Sequence, residues 1–410
     1  MVGAVRVGQG SGVGVGGREE WCLVDVAELR AQTPGCAGLV FLDNAGSALV
    51  PSPVHEAVVA HLELEARVGG YEARDVAAES VEGSTREVAA LIGASPEEVV
   101  FFEGASQAWS MAVGAVVLEP GQRVLTTTSE YSGNGVGLLR LAALRGVRVE
   151  VVPDDADGVV DVAVLEEELG RGDVGLVAIN HMPTHSGLVN PAEVVGALCG
   201  RFGVTYLLDA CQSVGQWEVD VERIGCDLLS GTGRKFLRAP RGTGFLYVRA
   251  GTRLGEPLAV NHVGGRWSGP EEYRVLPGAA GFEVFEHAVA AQVGLGVAAS
   301  YARRVGMGWA RERIGGLAGW LRSALVGVPG VVVHDRGREL SGIVTFSVAG
   351  REAEWVVGAL RERGVRANVA RPFDQRWSPG PGHAVVRASV HYYNSEEELE
   401  RTVGLVRELA

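Results

Sequence analysis

Lys235, in the stretch DLLSGTGRKFLRAPRGTGFLYV (227–248), is the one lysine in a chain of 410 residues. Lysine and arginine together number 37, which leaves 36 arginines. A lysine can do one thing that a guanidinium cannot: shed its proton and join a carbonyl as an imine. Arg234, Arg238 and Arg241 stand close by in sequence, and the apolar Phe236 and Leu237 follow. Cations and burial both lower an amine's pKa. Asp209 closes the hydrophobic run TYLLD (205–209), where a carboxylate would face a crevice beyond a strand end. There it could hold a protonated pyridine nitrogen, the partner that pyridoxal phosphate needs to act as an electron sink. It could equally cap a helix.

The elements that would position these residues alternate in type. Strand-like runs occur at 38–46, 99–102, 123–128, 147–153, 174–180, 204–210 and 243–249, with helical apolar spacing between them. Such alternation predicts crossover connections and an α/β fold with a mostly parallel central sheet covered by helices. Ligands of such sheets bind beyond the carboxyl ends of the strands. Asn44, Ser106, Glu130, Tyr131, His181 and Asp209 each follow a strand-like run. After about Gly265 helical patterns dominate, short strands follow, and Ser395 with Glu398 has capping-box spacing for a last helix. The expected division is a Gly-rich tail and lead-in (1–37), a large domain (38–265) and a smaller C-terminal α/β domain (266–410).

Composition narrows the function classes. A net charge of −13 argues against non-specific nucleic-acid binding. Five cysteines without a CxxC pair read as buried thiols of a reducing, cytoplasmic compartment. No signal-peptide pattern or long apolar run points to a membrane. The run GQGSGVGVGG (8–17) has nucleotide-loop spacings but no strand before it, so it reads as a tail. His181 and His185 are four apart, yet Pro183 between them breaks the helix that a metal pair would need. Glu283, Glu286 and His287 read as a polar face. No metal is expected.

The segment LLDACQSVGQWEVDV (207–221) and the Lys235 stretch resemble the core of the class V aminotransferases, fold-type-I pyridoxal phosphate enzymes that include cysteine desulfurases. The resemblance runs from FLDNAGSALVPSPV (from Phe41) to VVRASVHYYNSEEELE (from Val385). It implies a Schiff-base role for Lys235, a pyridine-nitrogen contact for Asp209 and a ring-oxygen contact for Gln212. FEGASQAWS (102–110) resembles the family's phosphate loop, so Ala105 and Ser106 at a helix N-terminus, with Thr232 and Arg234, would cradle phosphate. Tyr131 stands where the family stacks an aromatic ring, and Thr184 where it contacts cofactor or substrate. Arg387 matches the arginine that clamps the substrate carboxylate, a bidentate task. Asn44 and His185 are further substrate-site candidates, His185 also as an acid or base. GFEVFEH (281–287) departs from the glycine-threonine signature with which many members complete the partner subunit's phosphate site; Arg266 and Trp267 are candidate replacements. A homodimer is implied.

Cysteine desulfurases carry a mobile cysteine before the clamping arginine, and here residues 363–387 contain none, so persulfide formation is disfavoured. HMPTHSGLVNP (181–191) and FEVFEHAVAAQVGLGVAASY (282–301) look most like a subgroup with isopenicillin-epimerase-like proteins and the ergothioneine-pathway C–S lyase. The first reading is therefore β-elimination on a cysteine S-conjugate, a small amino-acid substrate of a natural-product or thiol pathway. Lys235 would take the Cα proton, and a thiolate would leave Cβ. An aminotransferase and a decarboxylating, aldehyde-forming enzyme are the alternatives.

Overall fold

The computed structural model describes residues 25–372, 376–378 and 380–410. The Gly-rich run 8–17 and Cys22 lie outside the described residues. In chain order the strands are β1 (Val40–Phe41), β2 (Val99–Phe102), β3 (Arg123–Thr127), β4 (Arg148–Val152), β5 (Val174–Asn180), β6 (Thr205–Asp209), β7 (Leu228–Thr232), β8 (Gly244–Val248), β9 (Gly265–Gly269), β10 (Glu272–Val275), β11 (Val331–Val333), β12 (Ile343–Val348), β13 (Val365–Arg366), β14 (Asn368–Ala370) and β15 (Val385–Ser389).

Seven of these form one sheet in the order β2-β8-β7-β6-β5-β3-β4. Neighbours from β4 across to β7 pair parallel, and β8 pairs antiparallel with both β7 and β2. The strands are apolar on both faces because both are covered. On one face Phe102, Leu176, Leu207 and Leu246 pack against Trp109 and Leu138 of helices 105–115 and 132–145. On the other, Phe101, Val177, Leu208 and Phe245 pack against Val88, Leu165, Val195 and Leu295 from four further helices. The sheet is the mixed α/β, largely parallel architecture that the alternating pattern predicts.

β7 has no strand-like signature in sequence, because LLSGT loses its apolar run to small residues. Packing explains it: a Cβ on Gly231 would lie 2.2 Å from the Phe245 ring, so the β8 phenylalanine fills the space that a side chain would take. The hairpin β9–β10 likewise forms where the sequence pattern predicts helical texture.

A second sheet, β11-β12-β15-β14, is antiparallel, and β1 pairs parallel with β13. Its core takes residues from both ends of the chain: Leu29, Val40 and Leu42 pack with Ile314, Leu321, Val344, Val386 and Leu399. The last helix, Glu396–Leu409, opens on a formed capping box between Ser395 and Glu398.

Arg238 joins the two cores and corrects one expectation. It is the one non-glycine residue with a left-handed φ (62°) among the described residues, and its side chain is fully buried. The guanidinium donates to the Leu49 carbonyl (2.9 Å), the Tyr392 hydroxyl (3.0 Å) and Thr33 Oγ1 (2.5 Å), and lies 4.5 Å from the Tyr393 ring centroid. It therefore ties the N-terminal segment to the small sheet and does not tune Lys235; Arg241 is exposed to solvent. Arg238→Ala leaves these acceptors and rings without a partner, and should lower the unfolding free energy by about 3 kcal/mol in urea titrations.

Candidate active site

Six strands end at the same sheet edge: β2 at Phe102, β3 at Thr127, β4 at Val152, β5 at Asn180, β6 at Asp209 and β7 at Thr232. A cleft opens there, lined by Ala105, Ser106, Tyr131, Asn134, Asn180, Thr184, Asp209, Cys211, Gln212, Thr232, Arg234 and Lys235 among others. It brings together most of the residues singled out from sequence, and it sits where a parallel sheet places its ligands.

Asp209 is buried, and both carboxylate oxygens accept hydrogen bonds: Oδ1 from the Cys211 amide (2.9 Å) and Oδ2 from Asn134 Nδ2 (2.7 Å). Asn134, in the first turn of helix 132–145, also donates to Glu130 Oε1 (3.0 Å). Glu130 accepts further bonds from the Tyr131 amide (2.7 Å), Asn180 Nδ2 (3.3 Å) and the Thr126 hydroxyl (3.2 Å). Burial, and then the charge of Asp209, push the Glu130 carboxyl up to about 7. Sequence reading places Glu130 after a strand but misses Asn134 and Asn180, whose amides stand alone in sequence and gain their roles only by convergence.

The raised carboxyl carries a stability consequence. Folded Glu130 keeps its proton to about pH 7, whereas an unperturbed glutamate loses it near 4.5. The native state thus binds more protons between those values, and stability must fall as pH rises through that window. Glu130→Gln removes this term, so in urea titrations the variant's stability relative to the parent should rise from pH 5 to pH 8 by on the order of 3 kcal/mol.

Lys235 is buried, and its amine is pushed below the usual lysine range. Burial is the main cause; Arg234 and Arg387 act in the same direction, against Cys211 and Asp209. The Lys235 segment packs tightly on the turn that follows Asp209. Gly215 there has φ 96°, and a Cβ on it would lie 2.3 Å from the backbone of Phe236 and Leu237.

At the other end of the cleft, helix 105–115 begins with Gly104 as its N-cap. Gly244 of β8 lies beneath, where a Cβ would stand 2.6 Å from the Ala105 nitrogen. Thr232 and Arg234 line the same cleft, and Arg234 donates to the Gly46 carbonyl. Tyr131 is 37% exposed at the cleft wall.

Gln212 Nε2 donates to Thr184 Oγ1 (2.9 Å) and the Ala45 carbonyl (3.1 Å), while its Oε1 is buried with no partner. Arg387 reaches the cleft through Thr184, donating to its carbonyl (2.9 Å) and hydroxyl (3.0 Å); its other arm meets Asp43 Oδ1 at 2.9 Å. Four candidates sit away from the cleft. Asn44 is fully buried, donates to the Ser389 carbonyl (2.7 Å) and accepts from the Tyr393 hydroxyl, so its amide is spent in joining β1 to β15. His185 lines an adjoining cavity. Arg266 and Trp267 lie on the exposed face of the β9–β10 hairpin.

The aminotransferase class-V family pattern matches residues 40–402, most of the chain. The chain belongs to the class V aminotransferase family. A probable cysteine desulfurase of Methanothermobacter thermautotrophicus is 29% identical over 93% of this chain and 98% of that protein. The apo structure of a cysteine desulfurase from Thermococcus onnurineus superposes with a TM-score of 0.86, at 26% identity, over 93% of this chain and 97% of that one. The cystine C–S lyase C-DES, bound to its product cysteine persulfide, shares the fold with a TM-score of 0.82 at 22% identity, over 92% and 99% of the two chains.

The chain is accordingly a pyridoxal 5′-phosphate enzyme of fold type I. The cleft fits that group: a buried amine, a carboxylate oriented by two donors, a helix N-terminus and an orphaned Gln212 oxygen converge on it. Among the described residues no helix is long and apolar enough to cross a membrane.

Proposed function

We propose that the chain is a β-eliminating C–S lyase acting on a cysteine S-conjugate. The observation that carries the reading concerns thiols. Its relatives are named cysteine desulfurases, yet residues 363–387 contain no cysteine to accept sulfur. Cys211 does line the cleft, but burial and the neighbouring Asp209 hold its thiol well above the usual range, so it stays protonated and a poor nucleophile. Cys36, Cys199 and Cys226 are raised by burial as well.

In this reading Lys235, Asp209, Gln212, Ala105, Ser106, Thr232 and Arg234 hold the cofactor, which when bound supplies an electron sink for the substrate's Cα electrons. Lys235, desolvated and flanked by cations, accepts the Cα proton, and the Cα electron pair becomes the Cα–Cβ double bond as the thiolate leaves Cβ. Asp209 keeps the counter-charge for a protonated ring nitrogen. Arg387 and Thr184 orient the substrate carboxylate, with Asp43 as the competing anion. Tyr131 offers a phenol at the cleft wall to the departing sulfur. Asn44 acts indirectly, by holding the segment that carries Ala45 against Gln212.

The reading includes a homodimer, for which the exposed Trp267 (81%) and the surface pair Tyr71 and Phe285 (centroids 6.4 Å apart) are the support. The test is incubation of holoenzyme with a cysteine S-conjugate and no keto acid. Pyruvate and free thiol in equal amounts support the lyase. Turnover only with a keto-acid acceptor makes it an aminotransferase; alanine with sulfane sulfur from free L-cysteine in a parallel incubation makes it a desulfurase; carbon dioxide with an aldehyde makes it decarboxylating.

A further inference from the structure

Beside the cofactor cleft lies a second cavity, beyond the ends of β3, β4 and β5, closed on its far side by residues of the small sheet. The two spaces share a wall. Thr184 faces the cleft, and the next residue, His185, faces the second cavity; Tyr131 and Ser129 divide in the same way. A substrate with its reacting carbon near Lys235 and its carboxylate near Thr184 has this cavity as a neighbour for whatever it carries beyond Cβ.

The chemistry of the second cavity is specific. His185 is only 5% exposed, and its Nδ1 is buried without a partner. Burial, followed by the charge of Arg387, pushes the imidazole down to about 3, so it is a neutral hydrogen-bonding group. His334, bonded to Ser347 Oγ at 2.8 Å, is also shifted down by burial. Asp154 is the one acid among the described lining residues; it accepts from the Thr128 hydroxyl at 2.5 Å, and burial raises its carboxyl. The cation is Arg336. It donates to the Ala156 carbonyl (3.1 Å) and makes no ion pair among the described residues. Its neighbour Arg338, by contrast, is paired with both Asp155 and Asp157.

A guanidinium that makes no ion pair among the described residues, in a cavity that also holds the unpartnered, buried His185 nitrogen, is a receptor for an anion even with Asp154 in the same lining. We propose that this cavity binds the distal end of the substrate and that the group carried on the substrate sulfur ends in a carboxylate, held by Arg336 with His185 as a second hydrogen-bond partner. The proposal rests on the reading of the chain as an enzyme for cysteine S-conjugates, and it explains why His185 lies outside the cofactor cleft. An uncharged tail would offer the Arg336 guanidinium, whose one hydrogen bond is to the neutral Ala156 carbonyl, no counter-charge, and the charge-assisted bond would be lost.

The comparison is S-(2-carboxyethyl)-L-cysteine against its amide, S-(2-carbamoylethyl)-L-cysteine, with holoenzyme. The two differ in charge at nearly constant shape. Parent enzyme should prefer the acid in kcat/KM by about tenfold or more, and Arg336→Gln should bring that ratio close to one. The dissociation constant of each compound is read in parallel from the change it causes in the absorbance of the bound cofactor, which does not depend on the bond that breaks. If neither compound gives pyruvate but the acid binds more tightly and Arg336→Gln removes the difference, the lyase reading fails and the carboxylate subsite stands. If both compounds yield pyruvate with equal kcat/KM and bind equally, in parent and variant alike, the subsite is overturned and the lyase reading stands.

Discussion

Lys235→Arg is expected to abolish turnover, with a fall of at least about 10³-fold, and to remove the visible absorbance band of the bound cofactor. The substitution keeps a long cationic side chain in the site. It removes only the capacity to become a neutral amine, because a guanidinium remains protonated at any pH the fold survives. The site already works against the charged form of the lysine: burial, Arg234 and Arg387 all lower its pKa. The same environment gives a guanidinium no relief, so the Lys235→Arg protein should also lose some stability by desolvation. Lys235→Ala separates the two effects. It should keep the parent's circular dichroism, bind cofactor without the band, and regain a small fraction of turnover when a soluble primary amine is added. A Lys235→Arg protein that remains yellow and active would remove the basis for every role assigned to this cleft.

The part of the site that sequence makes legible is the part that lies at strand ends. Asp209, Glu130 and Tyr131 follow runs whose apolar residues mark them as buried strands, and a mostly parallel sheet sends those ends to one edge. Residues that reach the cleft from helices or from the far sheet are different. Asn134 bridges Glu130 and Asp209 only because helix 132–145 turns its first residues inward, and no local pattern marks an asparagine for that task. Asn44 resembles a site residue because it follows a strand-like run, but β1 pairs with β13 in another layer, and its amide is consumed by Ser389 and Tyr393. Arg238 shows the same limit. Three residues from Lys235 in sequence, it is turned by a left-handed backbone into an aromatic cage. β7 is invisible in sequence for a packing reason, since its glycine makes room for a ring from the next strand.

Asp209→Asn should lower turnover by about 10²- to 10³-fold while leaving the protein folded and yellow, because Lys235 and the helix N-terminus, to which we assign the holding of the cofactor, are untouched. The loss is larger than one hydrogen bond would suggest. A carboxylate keeps a ring nitrogen protonated through its charge, and an amide of the same shape has no charge to offer. The amide also disturbs the network beneath it. Asp209 Oδ2 now accepts from Asn134 Nδ2; an asparagine that keeps its Oδ1 on the Cys211 amide would set an NH2 group against that donor. One of the two amides must turn, and Asn134 cannot do so without withdrawing its donor from Glu130 as well. The variant has a signature outside catalysis. Asp209 is the second cause, after burial, of the raised Glu130 carboxyl, so its removal should let Glu130 ionise at lower pH. The decline in stability between about pH 4.5 and pH 7 should then shrink in Asp209→Asn, as it does in Glu130→Gln, and the two substitutions should be less than additive in the double variant. If activity falls but the pH dependence of stability is unchanged, the two carboxylates are not coupled through Asn134, and Glu130 has no part in holding the charge beneath the cofactor.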